Sequence, residues 1–335
     1  MRTVLRRIAA MIPTLLGVIV LIFLITRVLP GDPARTLAGE NAADSVVDKL
    51  REDMGLNKPL WQQFFDYCAG LFQGDLGFAW HTGRPVAEDF ATRFPATVEL
   101  ALAALLIGIL IGIPLGILGA MYRGRLADHV ARVVALVGAS MPLFWLGLLV
   151  ISLFYGTLGW APAPIGRIDD SMNPPTTITG LYVIDSILTG DMAALGSVLA
   201  HLFWPAMVLS VGAIAIISRM TRSAMLEVLG QDYIRTAQAK GMGPGKVIGG
   251  HALKNAAPSI VTIVGLELGQ LLGGAVITET IFSWPGVGNY VVQSINATDY
   301  APVQAMTLLA AVIYLVVNLL VDVSQGIFDP KVRNA

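Results

Sequence analysis

Gln231–Pro258, QDYIRTAQAKGMGPGKVIGGHALKNAAP, decides how this chain is read. It is the longest interruption between apolar runs in the C-terminal half. It is also basic, with Arg235, Lys240, Lys246 and Lys254 set against Asp232 alone. Asp232 at the N-cap and Tyr233–Lys240 as a short helix would put Lys240 at the negative end of that helix's dipole. Gly241 supplies a C-terminal stop, and Pro244 suits the first turn of a second helix running to about Asn255. Pro258 is expected to end it, because the residue before a proline avoids the α region. Each piece is shorter than the roughly 12–15 residues at which an isolated helix becomes marginal in water, so both need a surface. Ile234 and Ala237 offer that face in the first piece, and Val247, Ile248 and Ala252 in the second. A compact helical knuckle of this kind on a membrane domain is suited to being pushed.

Composition places the rest of the chain in lipid. Of 335 residues, 55% are hydrophobic without counting glycine and 13% are charged. A soluble domain averages about 45–50% apolar with glycine included and about 25% charged. Mean hydropathy is +0.69. The net charge of −1 gives no electrostatic footprint for nucleic acid. The single cysteine, Cys68, excludes an intrachain disulfide. His81, His129, His201 and His251 lack metal-ligand spacing, so no metal site is expected.

Six segments are long enough to cross a bilayer core of about 30 Å, which takes roughly 20 helical residues. They lie near Ile8–Val28, Thr97–Met121, Val130–Leu158, Val198–Ile217, Ser259–Ile281 and Val303–Gln325. Lysine and arginine mark the cytoplasmic side. Those read as cytoplasmic include Arg2, Arg6 and Arg7, Arg123, Arg125 and Arg132, Arg219 and Arg222, those of the knuckle, and Lys331 and Arg333. Gly159–Gly196 carries Arg167 against Asp169, Asp170, Asp185 and Asp191, while Phe282–Pro302 carries Asp299 and no lysine or arginine. Both termini and the knuckle are therefore expected in the cytoplasm. The first apolar run exceeds the 7–15 residues of a signal-peptide core and is read as an uncleaved span, with Arg27 snorkelling near its outer end.

The stretch Pro30–Pro95 is too long to be structureless. Ala43–Met54 is expected to be helical and to stop at Gly55. Pro59 opens a second helix with Leu60, Phe64, Cys68, Leu71 and Phe72 at helical spacing, and Gly74 ends it. Val86–Phe94 leads into the second span. This small exterior cap is either a lid over the protein's own outer surface or a platform for an extracellular partner. Glycine recurs at every fourth position at Gly108, Gly112 and Gly116, and again at Gly265, Gly269 and Gly273, which lets backbones approach closely. Pro114 removes a helical hydrogen bond and is a kink candidate.

Covalent chemistry finds no support. Gly241–Lys246, GMGPGK, is too short between its glycines for a phosphate loop, and Val247 replaces the Ser or Thr that would hold magnesium. Ser140 and His201 share no motif as nucleophile and base, and a serine packed between helices is the expected role of Ser140. Glu267 lies well inside the fifth span with Gln270 one turn on. A carboxylate at that depth borders a solute path, where it would attract a cationic group, or else makes an interhelical hydrogen bond or is a protonated, structural group. Glu99 and Asp322 sit near helix ends, where interfacial solvation explains them.

Four motifs now carry a resemblance. They are Leu29-Pro30-Gly31-Asp32-Pro33, Gly74-Asp75-Leu76-Gly77, Asp232-Tyr233-Ile234-Arg235-Thr236-Ala237-Gln238-Ala239-Lys240-Gly241, and Glu279-Thr280-Ile281-Phe282-Ser283-Trp284-Pro285-Gly286-Val287-Gly288. With them the chain resembles, over its full length, the membrane-spanning permease subunit of bacterial dipeptide and oligopeptide ABC importers. The general permease signature is Glu-Ala-Ala, three residues, then glycine. Here Arg235-Thr236-Ala237 and Gly241 take those places without the glutamate, as is usual in the peptide branch.

The resemblance implies an all-α polytopic protein of the bacterial inner membrane. It would be one transmembrane domain over residues 1–335, with a helical extracytoplasmic loop at 30–95 and a cytoplasmic coupling region at 231–258. It implies that Asp232, Tyr233, Arg235, Thr236, Ala237, Lys240 and Gly241 form a coupling helix seated on an ATPase. Asp32, Asp75, Glu279, Phe282, Trp284 and Pro285 are the candidates for an outer gate or receptor docking. Implied partners are a second permease, two ATPases that hold ATP and magnesium, and an extracytoplasmic solute-binding protein. The chain itself would bind no cofactor and catalyse nothing. The contrasting possibility is a secondary transporter or channel that works alone.

Overall fold

The computed structural model describes residues 2–28, 32–39 and 42–328. Leu29, Pro30 and Gly31 of the first motif, Lys331 and Arg333 of the tail, and the side chain of Asp322 lie outside the described set. In chain order the helices are α1 Arg2–Val28, α2 Pro33–Ala38, α3 Asp44–Asp53 and α4 Leu60–Phe72, followed by a two-stranded hairpin of β1 Phe78–Ala79 and β2 Arg84–Pro85. Then come α5 Val86–Met121, α6 Leu126–Ser140, α7 Leu143–Val150, α8 Tyr182–Thr189, α9 Met192–Leu229, α10 Asp232–Ala239 and α11 Pro244–Lys246. The last four are α12 Leu253–Gly274, α13 Val276–Ile281, α14 Val287–Asn296 and α15 Tyr300–Phe328. Among the described residues, five helices are long and apolar enough to cross a membrane, and a sixth crossing arises if α6 and α7 count as one. The protein is an all-helical membrane fold apart from the short hairpin.

The third expected span, Val130–Leu158, is not one straight rod. Asp128–Ser140 and Leu143–Thr157 meet at 100°. Met141 precedes Pro142 and adopts an extended conformation, with ψ of 127°, as a pre-proline residue prefers. Beyond the bend, α7 widens into a π-helical turn at Ile151–Thr157. Ser140, expected between helices, is instead exposed at the corner.

Pro258 gives the opposite correction. It does not end a helix but lies inside α12, and helical structure is continuous from Pro244 to Gly274 through a π turn at Val247–Ala252. A proline inside a helix costs about 3 kcal/mol or more. Packing of α12 against α9 and α15 outweighs that cost.

The core is built by α5 and α9, whose faces meet along most of their length. Gly108, Gly112 and Gly116 sit against Ala213, Ile217, Ser218 and Thr221, so the first glycine stripe packs within the chain. Of the second stripe, Gly265 and Gly269 face α15, while Gly273 has no neighbour within 4 Å. Pro114 lies within an uninterrupted α5. Leu100, Ala104, Leu202, Ala206, Leu271 and Trp284 fill the space between helices. Smaller clusters close each end of α5: Val86 and Phe90 with Tyr290 and Val291, and Ala120 with Met225 and Ile234. At 1.5 Å per residue those ends lie about 50 Å apart.

The exterior region follows the expected outline. Helix α3 stops at Met54–Gly55 with Gly55 at φ +66°, Pro59 precedes α4, and Gly74 has φ +78°. Phe64 and Tyr67 pack on Phe23 of α1, with ring centroids 5.2 and 6.1 Å away. Leu60 and Phe72, expected on the packing face, are exposed.

Candidate functional site

The knuckle is an elbow with two anchors and an open outer face. In α10, Ile234 and Ala237 are buried three residues apart, on one side of the helix. They rest in the cluster of Ala120 from α5, Met225 from α9, and Val247, Ala252 and Ala256 from the stem that becomes α12. Asp232, Tyr233, Arg235, Thr236 and Lys240 are exposed. Asp232 does not act as the expected N-cap: Gln231 takes that place, and neither side chain caps the helix. Asp232 is the first helical residue, with Arg235 at 3.6 Å. Both members of that pair are open to water, so the contact adds little stability.

Gly241 has φ +78° and its amide donates to the Gln238 carbonyl at 2.9 Å, while the Met242 amide donates to Ala237 at 3.3 Å. A left-handed residue after a helix is most easily glycine. No atom lies within 4 Å of the position where its Cβ would be. A side chain here meets no steric barrier within this chain. Pro244 opens α11, as expected. Between the end of α5 and the elbow runs a cleft of about 340 Å³, lined by Met121, Leu229, Gln238, Met242 and Ile248.

Behind the elbow, the fully buried Asp128 ties two elements together. Arg222 of α9 donates to it from Nε at 2.7 Å, Arg132 from its guanidinium at 2.5 Å, and the Gly124 amide at 2.9 Å. Sequence reading used these arginines only to set topology. Asp128 and Arg222 are 94 residues apart, and no local pattern announces their contact.

The opposite end holds the outer candidates, and burial divides them. Asp32 accepts from Ala34 N at 3.2 Å as the cap of α2 and pairs with Arg51. Asp75 is exposed and folds back on Gly77 N at 2.8 Å. Pro285 is partly exposed, whereas Glu279, Phe282 and Trp284 are buried. Glu279 accepts from Thr97 Oγ1 at 2.6 Å and from Asn289 N at 3.0 Å. The Trp284 indole donates to the Ala96 carbonyl at 2.9 Å, and the Val287 amide donates to Thr97 Oγ1 at 2.9 Å. Gly286 presses against the Glu279 carboxyl so closely that a Cβ there would overlap it. These groups form a latch between α5 and the loop before α14. In this chain by itself Glu279, Phe282 and Trp284 are buried, while Asp32, Asp75 and Pro285 are at least partly accessible.

The expectation for Glu99 is corrected. It is not solvated at an interface but buried, with Arg167 Nη2 at 2.6 Å and the Val183 amide at 2.7 Å on its two oxygens. Arg167 also donates to the Gly180 carbonyl at 3.0 Å and stacks 3.6 Å over Tyr182. The one basic residue of the acidic Gly159–Gly196 stretch was the available signal for this pair. Glu267 is buried in α12, with no hydrogen-bond partner among the described residues. Gln270 is exposed. Among the described residues no cluster of three metal-ligating side chains occurs.

Two family models cover the chain. One described as the binding-protein-dependent transport system inner membrane component matches residues 112–334, and its N-terminal counterpart matches 1–101. A probable D,D-dipeptide transport system permease protein of Escherichia coli K12 is 48% identical over 316 residues, covering 94% of this chain and 93% of the relative. A dipeptide transport system permease protein of the same strain is 43% identical over 335 residues, covering 99% and 98%. A glutathione transport system permease protein of E. coli O6:H1 is 37% identical over 330 residues, covering 98% of each. A solved methionine ABC transporter in inward-facing conformations aligns with a TM-score of 0.45 at 19% identity, over 71% of this chain and 92% of that one.

Proposed function

The chain belongs to the family of binding-protein-dependent transport system inner membrane components, and we propose that it is the permease subunit of an ATP-driven peptide importer in a bacterial cytoplasmic membrane. Near-full-length identity to dipeptide permeases carries the peptide assignment. The solute path runs between this chain and a second, similar permease. Both termini and the elbow face the cytoplasm, where the basic residues concentrate. A solute-binding protein delivers the peptide to the outer face, with Asp32, Asp75 and Pro285 accessible to it.

Two ATPase subunits close on ATP and magnesium, and each receives a permease elbow. Tyr233, Arg235, Thr236 and Lys240 meet the ATPase, while Ile234 and Ala237 pass its movement to the ends of α5 and α9. The Pro244–Gly274 helix carries the same movement toward Glu267. This carboxyl and Gln270 border the path in the assembled complex, where Glu267 attracts the amino group of the solute. The latch at Glu279 and Trp284 moves with the outer gate. This subunit does no covalent chemistry.

The test is Gly241→Trp in vesicles holding the complete transporter and its binding protein. The indole meets nothing within the chain, and the left-handed backbone costs about 1–2 kcal/mol for a non-glycine residue. Membrane insertion should persist while solute-stimulated ATPase and uptake fall by about tenfold or more, equivalent to about 1.4 kcal/mol of coupling. Normal stimulation in the variant, or uptake by this chain without any ATPase, would refute the assignment.

A further inference from the structure

Positive backbone φ belongs to glycine almost everywhere in this fold. Among the described residues eleven glycines adopt it, and two other residues do, Ser283 at +46° and Thr298 at +56°. Those two bracket α14. Each lies one place past a helix cap, Ser283 after Phe282 at the end of α13 and Thr298 after Ala297 at the end of α14. The chain wraps back over both ends, with the Trp284 amide on the Glu279 carbonyl and the Asp299 amide on the Ser294 carbonyl, each at 2.8 Å. The left-handed place in such a turn is normally glycine, because a Cβ there crowds the following carbonyl. A β-branched threonine in it is a genuine outlier. Neither hydroxyl makes a hydrogen bond among the described residues that would offset the strain. Ser283 is exposed, so packing does not require its side chain either.

Bonds from other elements hold both strained residues in place. Close to Ser283, the fully buried Glu279 carboxyl accepts from Thr97 of α5 and from the Asn289 amide in the first turn of α14. The Ser283 carbonyl accepts from the Gly166 amide of the Gly159–Gly196 stretch at 3.3 Å. Beside Thr298, the buried Asp299 carboxyl accepts from the His81 amide at 3.1 Å and lies 2.8 Å from His81 Nδ1, in the turn of the β hairpin. Between the two ends, Tyr290 and Val291 pack on Val86 and Phe90. Strained backbone persists where its surroundings over-determine it, and such residues cluster at switch regions. Here the strain flanks α14, whereas the restraints lie on α5, the hairpin and the outer connection. When those bodies part, the restraint ends and the backbone can relax.

We propose that α14 is the moving element of the outer gate, held under strain at Ser283 and Thr298 while the gate is shut and released as it opens. The proposal rests on the permease reading given above and says how its outer gate is set. Strain in the shut state lowers the cost of opening, so removing it should hold the gate shut more firmly. A latch with a structural role alone would gain stability from the same change and transport as before. Greater stability joined to slower transport is therefore the signature of gating.

The test replaces Ser283 and Thr298 by glycine, singly and together, and by asparagine. Asparagine accepts the left-handed region without the extra chain freedom of glycine, so it separates relief of strain from added flexibility. In the purified full-length chain each variant should melt about 2–4 °C higher. In vesicles holding the complete transporter, its binding protein and ATP, uptake and stimulated ATPase should fall several-fold, most in the double variant. Spin labels on the exposed residues Gln293 of α14 and Glu88 of α5, with Cys68→Ser, should move apart in the wild type when binding protein and ATP are added, and less in the variants. Unshifted melting would mean that no strain is held at these positions. Higher melting with undiminished transport, or a fixed label distance in a transporting wild type, would mean that α14 does not gate. Any of these results overturns the proposal. The melting shifts do not depend on the permease reading, which wild-type uptake checks separately.

Discussion

The two ends of α5 are fastened by different physics. At the latch end, polar groups are removed from water and hydrogen-bonded: Glu99 to Arg167 and the Val183 amide, Glu279 to Thr97 and the Asn289 amide, and the Trp284 indole to the Ala96 carbonyl. Such bonds are directional, and losing one partner strands the other. At the elbow end, Ile234 and Ala237 rest on an apolar cluster, and the polar side chains look outward. Dispersion and apolar burial set no single orientation, so this attachment tolerates small displacement. On the proposed function, the first attachment belongs to the outer gate and the second to the surface that meets the ATPase.

The contrast predicts a graded series of effects. Arg167→Met should hurt most, because it leaves the Glu99 carboxyl buried without its ion-pair partner. A loss of about 3–5 kcal/mol is expected, read as a large fall in thermal stability of the purified chain. Adding Glu99→Leu should return much of it, and failure of that rescue would mean the pair is not what stiffens this end. Trp284→Phe keeps the ring packing and removes one donor, while the Ala96 carbonyl keeps its helical partner, so about 0.5–1.5 kcal/mol should be lost. The smallest stability effect belongs to the elbow. Arg235→Ala removes an exposed ion pair and should change stability by less than about 0.5 kcal/mol, yet lower peptide uptake in the complete transporter. A stability loss as large as that of Trp284→Phe would erase the distinction between the ends.

Much of the frame was legible because it is encoded locally. Hydropathy located the spans, fourfold glycine spacing marked a close-packing face of α5 without naming its partner, and the Gly241-to-Pro244 spacing gave the elbow its stop and restart. Proline was the unreliable sign. Pro142 produces a sharp corner that the apolar run concealed, while Pro258 is absorbed into a helix whose packing overrides it. Long-range polar pairs were the least visible. Glu99 and Arg167 are 68 residues apart, and Thr97 and Glu279 are 182 apart, so only the fold brings them together. A lone arginine on an acidic face was the one hint, and it was read as topology rather than as half of a pair.

The π turn at Val247–Ala252 joins the elbow to the fifth span without a loop. From Val247 to Glu267 is about 30 Å of unbroken helix at 1.5 Å per residue. A torque applied at Pro244 would meet no loop before Gly274. On the proposed coupling role, it would reach the membrane interior as rotation of one shaft, with Glu267 turning like a cam.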